Sequence, residues 1–323
     1  MRNLANRNQF RLYIMKNYLT ISAVAALLIS ATAQAQTPST YDAVIEAERA
    51  FAKQSVQTSI EAALLANSTP TALVADNGKL TNAQNLWRSR TSKPGRKLTW
   101  YPALGDVAQS GDLGYTTGPW NLLQNDRPQA AGEYVTVWRK QLDGKWKFAV
   151  NMSIERIGAA PAPVAAVPRP KLLPAVAVPS TAPANVVLDV DSKFAAAELL
   201  KPGLAYQQSL STEARLYRSG LSMMHGAAAV ANMKNLDGGY VFTASTGYLA
   251  AAGDLGYVVG TLHRPAGGKH PEENGSYLRI WRREADAGWR IVLEMFNMIP
   301  EVMPATASPA TGAVGQLLPK DGQ

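Results

Sequence analysis

From Tyr41 to about Ala66 the apolar residues Val44, Ala47, Phe51, Val56, Ile60, Ala63 and Leu64 recur mostly at steps of three or four, the spacing that lines one face of a helix. Further along, the period falls to two. Segments at 98–108, 113–120, 133–142 and 145–154 are rich in Trp, Tyr, Val and Thr, and Gly or Asp turns such as Asp143-Gly144 separate them. That predicts a meander of antiparallel strands. The same succession returns near 239–250, 255–263, 276–285 and 288–297, and ahead of it Asp189 or Asp191 is placed to cap a helix through Phe194 and Leu199 that Pro202-Gly203 interrupts. Helices followed by a run of strands is the α+β pattern. The chain is therefore expected to form two tandem α+β domains, each with N-terminal helices packed on a curved antiparallel sheet.

The two halves are copies. GDLGY stands at 111–115 and again at 253–257, and a glycine, Gly118 or Gly260, follows each three residues on. At an offset of 143, Gly132, Tyr134, Trp138, Arg139, Asp143 and Trp146 fall on Gly275, Tyr277, Trp281, Arg282, Asp286 and Trp289, six identities in fifteen ungapped positions. Trp100 falls on Phe242 at an offset of 142, and Phe51 on Phe194 at 143. A repeat of this length is one supersecondary unit duplicated, with the strand half kept and the helical half diverged.

Composition bounds the rest. With 323 residues, 46% apolar and 17% charged, each half is able to bury its own core. No cysteine is present, so disulfides, thiolate metal sites and a cysteine nucleophile are excluded. Basic residues up to Lys16, an uncharged apolar run from Tyr18 to Ile29 and the small-x-small triplet Ala33-Gln34-Ala35 read as a secretory signal cleaved near Ala35. The gene start at Met1 or Met15 stays open. The chain is thus expected in the periplasm or outside the cell, with no stable membrane insertion after cleavage. Without residues 1–35, 28 basic side chains face 24 acidic ones, and no Lys/Arg block marks a nucleic-acid surface. Residues 158–185 carry seven prolines among alanines and valines and read as a stiff linker. The expected organisation is a signal at 1–35, a first domain at 36–157, the linker, a second domain at 186–299 and a disordered tail at 300–323.

Candidate chemistry is sparse. The aromatic strand residues Trp100, Tyr115, Tyr134 and Trp138, with Phe242, Tyr257, Tyr277 and Trp281, either fill the cores or border apolar cavities. Glu294, in the apolar strand IVLEMF, needs a partner or a raised pKa and is the one weak catalytic candidate. His225, His263 and His270 show no metal-ligand spacing, and no phosphate loop occurs, Asn77-Gly78-Lys79 being a turn. No metal and no cofactor is expected. Asp112 and Asp254 read as turn residues capping their own backbone, and Gly114 and Gly256 as sheet bends.

The strand motifs GDLGYTTGPW and GEYVTVWRKQLDGKWKF behind a leading helix are similar to the SnoaL-like and unknown-function branches of the nuclear transport factor 2-like superfamily. The resemblance covers about 45–155 well and 190–298 less well. It implies that each of the two tandem domains is cone-shaped, a strongly curved antiparallel sheet wrapped around helices with an apolar cavity between them, and that sheets pair, here as an intramolecular pseudo-dimer or a homodimer. It also implies an acidic residue in the last strand, where the first copy has Asn151 and the second Glu294. Two readings stay open: a non-catalytic binder of a small apolar ligand or an association module, and an isomerase, dehydratase or hydrolase whose second domain is active. A scaffold reaching a cell-envelope partner is the third.

Overall fold

The structure, a computed structural model, describes residues 39–156, 162–171, 174–178, 183–226, 228–229, 231, 239–267, 271–285 and 288–300. The expected signal, nearly all of the tail and His270 lie outside them.

In the first domain, α1 (Thr40–Gln57) starts on a capping box in which the Ser39 and Asp42 side chains each accept from the other residue's backbone N–H. The single helix expected to Ala66 is two helices. Ser59 supplies a second cap, accepting from Ala62 N, so the chain breaks at Thr58-Ser59 and restarts as α2 (Ile60–Asn67). A short hairpin follows, β1 (Ser68–Asp76) and β2 (Lys79–Asn82), turned at Asn77-Gly78 with both φ positive. Then come α3 (Ala83–Arg88), β3 (Arg96–Trp100), β4 (Leu104–Val107), β5 (Leu113–Gln124), β6 (Arg127–Lys140) and β7 (Trp146–Glu155). The second domain repeats the plan with α4 (Pro183–Leu200), α5 (Leu204–Ser209), β8 (Leu210–Arg218), β9 (Met224–His225), β10 (Val241–Leu249), β11 (Leu255–Arg264), β12 (Glu273–Glu284) and β13 (Gly288–Met298). The expected interruption at Pro202-Gly203 separates α4 from α5, with Gly203 at φ +78°.

The fold is α+β with two sheet domains, and the sheets are mixed rather than purely antiparallel. Their orders are β2-β1-β7-β6-β5-β3, with β4 also on β5, and β10-β11-β12-β13-β8-β9. In each, the strand after the helices, β1 or β8, lies parallel to the last strand of its domain. Sequence periodicity passes over these strands because STPTALVAD and LSTEARLYR mix Pro, Thr and charge into the run.

One face of each sheet carries its helices, and the other faces the second sheet. Tyr115, Val135, Val137, Val150 and Met152 share one buried cluster with Tyr257, Val259, Leu278, Ile280, Leu293 and Met295. The polar contacts around it are reciprocal. Asp112 Oδ2 accepts from Ala251 N at 3.1 Å while Asp254 Oδ2 accepts from Gln109 N at 2.9 Å, and residues 109 and 251 are equivalent. The Arg139 guanidinium lies 3.8 Å from the centre of the Tyr248 ring, while its equivalent Arg282 reaches Asp106, the equivalent of Tyr248, at 3.4 Å. Both repeated aspartates thus bind the other copy's backbone as well as standing in turns.

The repeated glycines have a packing cause. A Cβ at Gly114 or Gly256 would stand 3.1 or 3.0 Å from Val44 or Val187 on the covering helix, so these sites admit the helices. A Cβ at Gly118 or Gly260 would run into the carbonyl of Tyr101 or Thr243 on the neighbouring chain segment. The proline-rich segment is not a detached spacer. Tyr41 Oη donates to Val167 O at 2.9 Å and Arg49 to Ala165 O at 2.8 Å, while Val176 N and Val178 N donate to Arg283 O and Ala252 O in the second copy.

Candidate functional site

The interior of each cone is built from the same positions. On the first helix stand Glu48 and Phe51, equivalent to Asp191 and Phe194; the sheet contributes Trp100, Tyr134, Thr136, Trp138 and Asn151, equivalent to Phe242, Tyr277, Arg279, Trp281 and Glu294. A buried acid opposite buried aromatics recurs, and what differs is the residue between them.

In the second cone that residue is Arg279, fully buried. Its Nε donates to Glu294 at 2.6 Å and its Nη1 to Asp191 at 2.7 Å. The guanidinium lies 4.4, 4.5 and 4.7 Å from the ring centres of Phe194, Phe242 and Tyr277, a cation–π arrangement as well as an ion-pair one. Asp191 accepts also from Tyr277 Oη at 2.7 Å and Trp281 Nε1 at 2.9 Å. Glu294 accepts from Tyr206 Oη at 2.9 Å and from Arg218. Burial alone would raise the Glu294 carboxyl, but Arg279 and Arg218 outweigh it and hold it below the usual carboxylate range. A carboxylate held ionised by two cations is a poor general base. The aspartate at 191 is no helix cap: it sits inside α4 and faces the core, while Asp189 pairs with Lys193 on the surface.

In the first cone the equivalent of Arg279 is Thr136. The acid is retained, and its partners are neutral. Glu48 accepts from Trp100 Nε1 at 2.5 Å, Trp138 Nε1 at 3.0 Å and Thr116 Oγ1. Its burial, the dominant influence, outweighs these bonds and raises the carboxyl above its ordinary value. Asn151 Nδ2 donates to Thr136 Oγ1 at 3.0 Å in place of an ion pair.

A cavity of about 580 Å³ opens in the first cone, within the size range of sites for drug-sized ligands. Phe51, Ile60 and Leu64 form its helical wall, Leu98, Trp100, Trp120, Leu122 and Tyr134 its sheet wall, and Trp87 the flank on α3. Asn151 and Ser153 add polar atoms, and Glu61, Arg90, Thr91, Lys93 and Arg96 complete the lining. Two buried polar atoms on this lining have no hydrogen-bond partner, Trp87 Nε1 and Tyr134 Oη. The equivalent hydroxyl in the second cone, on Tyr277, is taken up by Asp191.

Of the residues expected from sequence, Trp100, Tyr134 and Asn151 are brought together at this cavity. Tyr115 and Tyr257 are not: strand alternation turns them to the opposite face, into the cluster shared by the two sheets. Trp138 and Trp281 lie deeper than any cavity wall and hold the acids of their cones through Nε1. Phe242, Tyr277 and Glu294 pack around Arg279, which occupies the place a ligand would take. Sequence reasoning missed Glu48, Arg279 and Trp87. The offset that pairs Phe51 with Phe194 also pairs Glu48 with Asp191, and that match was a usable signal. His225 and His263 are exposed and hydrogen-bonded to Glu213 and Asn274. Among the described residues no group of three or more His, Asp or Glu is placed to hold a metal ion, and no helix is long and apolar enough to cross a membrane.

No protein-family model matches the chain, and no curated protein does. Solved structures that it is similar to include a putative ketosteroid isomerase from Parabacteroides distasonis ATCC 8503, at 13% identity over 36% of this chain and 91% of that one, with a TM-score of 0.31. A putative ketosteroid isomerase from Shewanella frigidimarina NCIMB 400 matches at 20% identity over 33% of this chain and 91% of that one, TM-score 0.28. An NTF2-like protein of unknown function from Pseudomonas putida KT2440 matches at 16% identity over 37% of this chain and 88% of that one, TM-score 0.31. Each match spans about a third of the chain.

Proposed function

We propose that this is an exported binding protein whose first cone takes a small, largely apolar ligand, and whose second cone is a filled structural mate, the two forming an intramolecular pseudo-dimer through their sheets. The observation that carries the reading is the aromatic-walled cavity of about 580 Å³ in the first cone, lined by Phe51, Trp100, Tyr134 and Asn151, whose equivalents in the second cone pack around Arg279. Apolar walls with a few convergent polar atoms are what a ligand site of this kind needs. A catalytic reading has less support. Glu294 is committed to two arginines, and Glu48 lies behind Trp100 and is not one of the cavity-lining residues.

The test uses the environment-sensitive neutral probe N-phenyl-1-naphthylamine. Wild-type protein is expected to bind about one probe per chain with enhanced, blue-shifted emission. The double substitution Thr136→Arg with Asn151→Glu copies the second cone's filling into the first, and it should abolish that binding while the protein stays folded by circular dichroism. Undiminished binding in a folded double variant, or none in the wild type, would sink the proposal.

A further inference from the structure

We infer that the ligand of the first cone is an organic anion, a flat apolar body whose acidic head is held at the mouth by Lys93 and Arg96. The inference rests on the binding reading above and narrows it to a chemical class.

Consider first the polar atoms that the cavity leaves without partners. Trp87 Nε1 is only a donor, and Tyr134 Oη makes no hydrogen bond, the residue being 3% exposed. An unpaired buried N–H or O–H costs as much as a lost hydrogen bond, and native interiors rarely tolerate it. Both groups belong to residues that line the cavity, and acceptor oxygens of a bound carboxylate, phenolate or sulfonate satisfy them once the side chains turn toward it.

The mouth adds charge of the matching sign. Among the lining residues Arg90, Lys93 and Arg96 face a single acid, Glu61. Arg90 is already engaged, 2.7 Å from Asp76 and stacked 4.9 Å from the centre of the Trp87 indole. Glu61 accepts from Ser92 Oγ at 2.7 Å, and modest burial, which raises its carboxyl, is outweighed by that bond and by the charge of Arg96. Lys93 and Arg96 themselves make no side-chain hydrogen bond or salt bridge among the described residues. They stand where a charged head would leave the apolar body, partly hydrated, and such a site gains attraction without the full cost of burying an ion.

The interior has also lost what would repel an anion. The second cone holds two acids around its own cation, whereas the first replaces Glu294 by the neutral Asn151 and keeps Glu48 hydrogen-bonded to the Trp100 indole. A cationic ligand is disfavoured by the same inventory, since it would meet three cations and the single acid Glu61 on the lining.

The experiment compares N-phenyl-1-naphthylamine with 1-anilinonaphthalene-8-sulfonate, which share a ring skeleton and differ by one sulfonate. Wild-type protein is expected to bind the sulfonate about tenfold tighter than the neutral probe at low salt. That preference should fade between about 20 and about 300 mM salt, because the head-group contacts are solvent-accessible. In the variant Lys93→Ala with Arg96→Ala the sulfonate should weaken about tenfold and the neutral probe should hold. Equal affinity for both probes, or equal weakening of both in the variant, overturns the anion assignment and leaves the cavity proposal standing. Sulfonate binding that survives Thr136→Arg with Asn151→Glu marks a surface site and overturns it as well. If neither probe binds the wild type, it is the binding reading itself that falls.

Discussion

Thr136 and Arg279 occupy the same place on the same strand of two copies, and the side-chain difference between them propagates through every neighbour. An arginine buried among three rings is tolerable only because Asp191 and Glu294 neutralise it, and removing one partner of such a set typically costs about 3–5 kcal/mol. Threonine needs no counter-ion, so the acid kept at Glu48 is left with neutral donors alone. The two cones consequently respond to pH with opposite sign. The Glu294 carboxyl is depressed in the folded state, so its stabilisation is present above the ordinary value of 4.5 and is lost as pH falls through the folded pKa. The Glu48 carboxyl is raised, so its contribution is intact below 4.5 and is lost as pH rises toward the folded pKa. Glu48→Gln cannot ionise. Its melting temperature relative to wild type should therefore rise as pH passes upward from 4.5 to the folded pKa of Glu48 and level off beyond it, followed by thermal melts in matched buffers. A flat or falling difference would contradict the placement of Glu48 in a dry, cation-free site.

At the level of elements, each GDLGY turn does two tasks. Its first glycine takes a positive φ, +69° at Gly111 and +70° at Gly253, and its aspartate reaches across to the other copy's turn. Asp254 is 2% exposed and satisfies Gln109 N, whereas Asp112 is half-buried and shared among Ala251 N, Tyr248 Oη and Ser110 Oγ. Burial decides which matters more. Asp254→Ala should lower unfolding free energy by about 1–3 kcal/mol because it removes a buried hydrogen-bonded carboxylate, and Asp112→Ala by about 1 kcal/mol, since water can replace its bonds. Urea denaturation with an unchanged m-value would check both. Repeat alignment could identify these aspartates as a matched pair; only the packed turns assign them to the seam between copies, because the bonds span 139 and 145 residues.

At the scale of the molecule, the shared cluster between the sheets means that neither half buries its apolar face alone. A fragment of residues 36–157 should therefore self-associate, and size-exclusion chromatography with light scattering is expected to give a dimer or larger species where the full chain is monomeric. A monomeric, stable fragment would show that the face is covered in some other way. The sequence by itself determined the duplication, the α+β class, the meanders and the turns, because local period, caps and glycines act over a few residues. It also nominated Trp100, Tyr134 and Asn151. Which face of each strand meets the helices, the parallel pairing of β1 with β7, and the gathering of Arg279 with its partners were decided by the tertiary structure. Alternation divides a strand into two faces without saying which is inward. A cavity, likewise, is bounded by side chains that are distant in the chain.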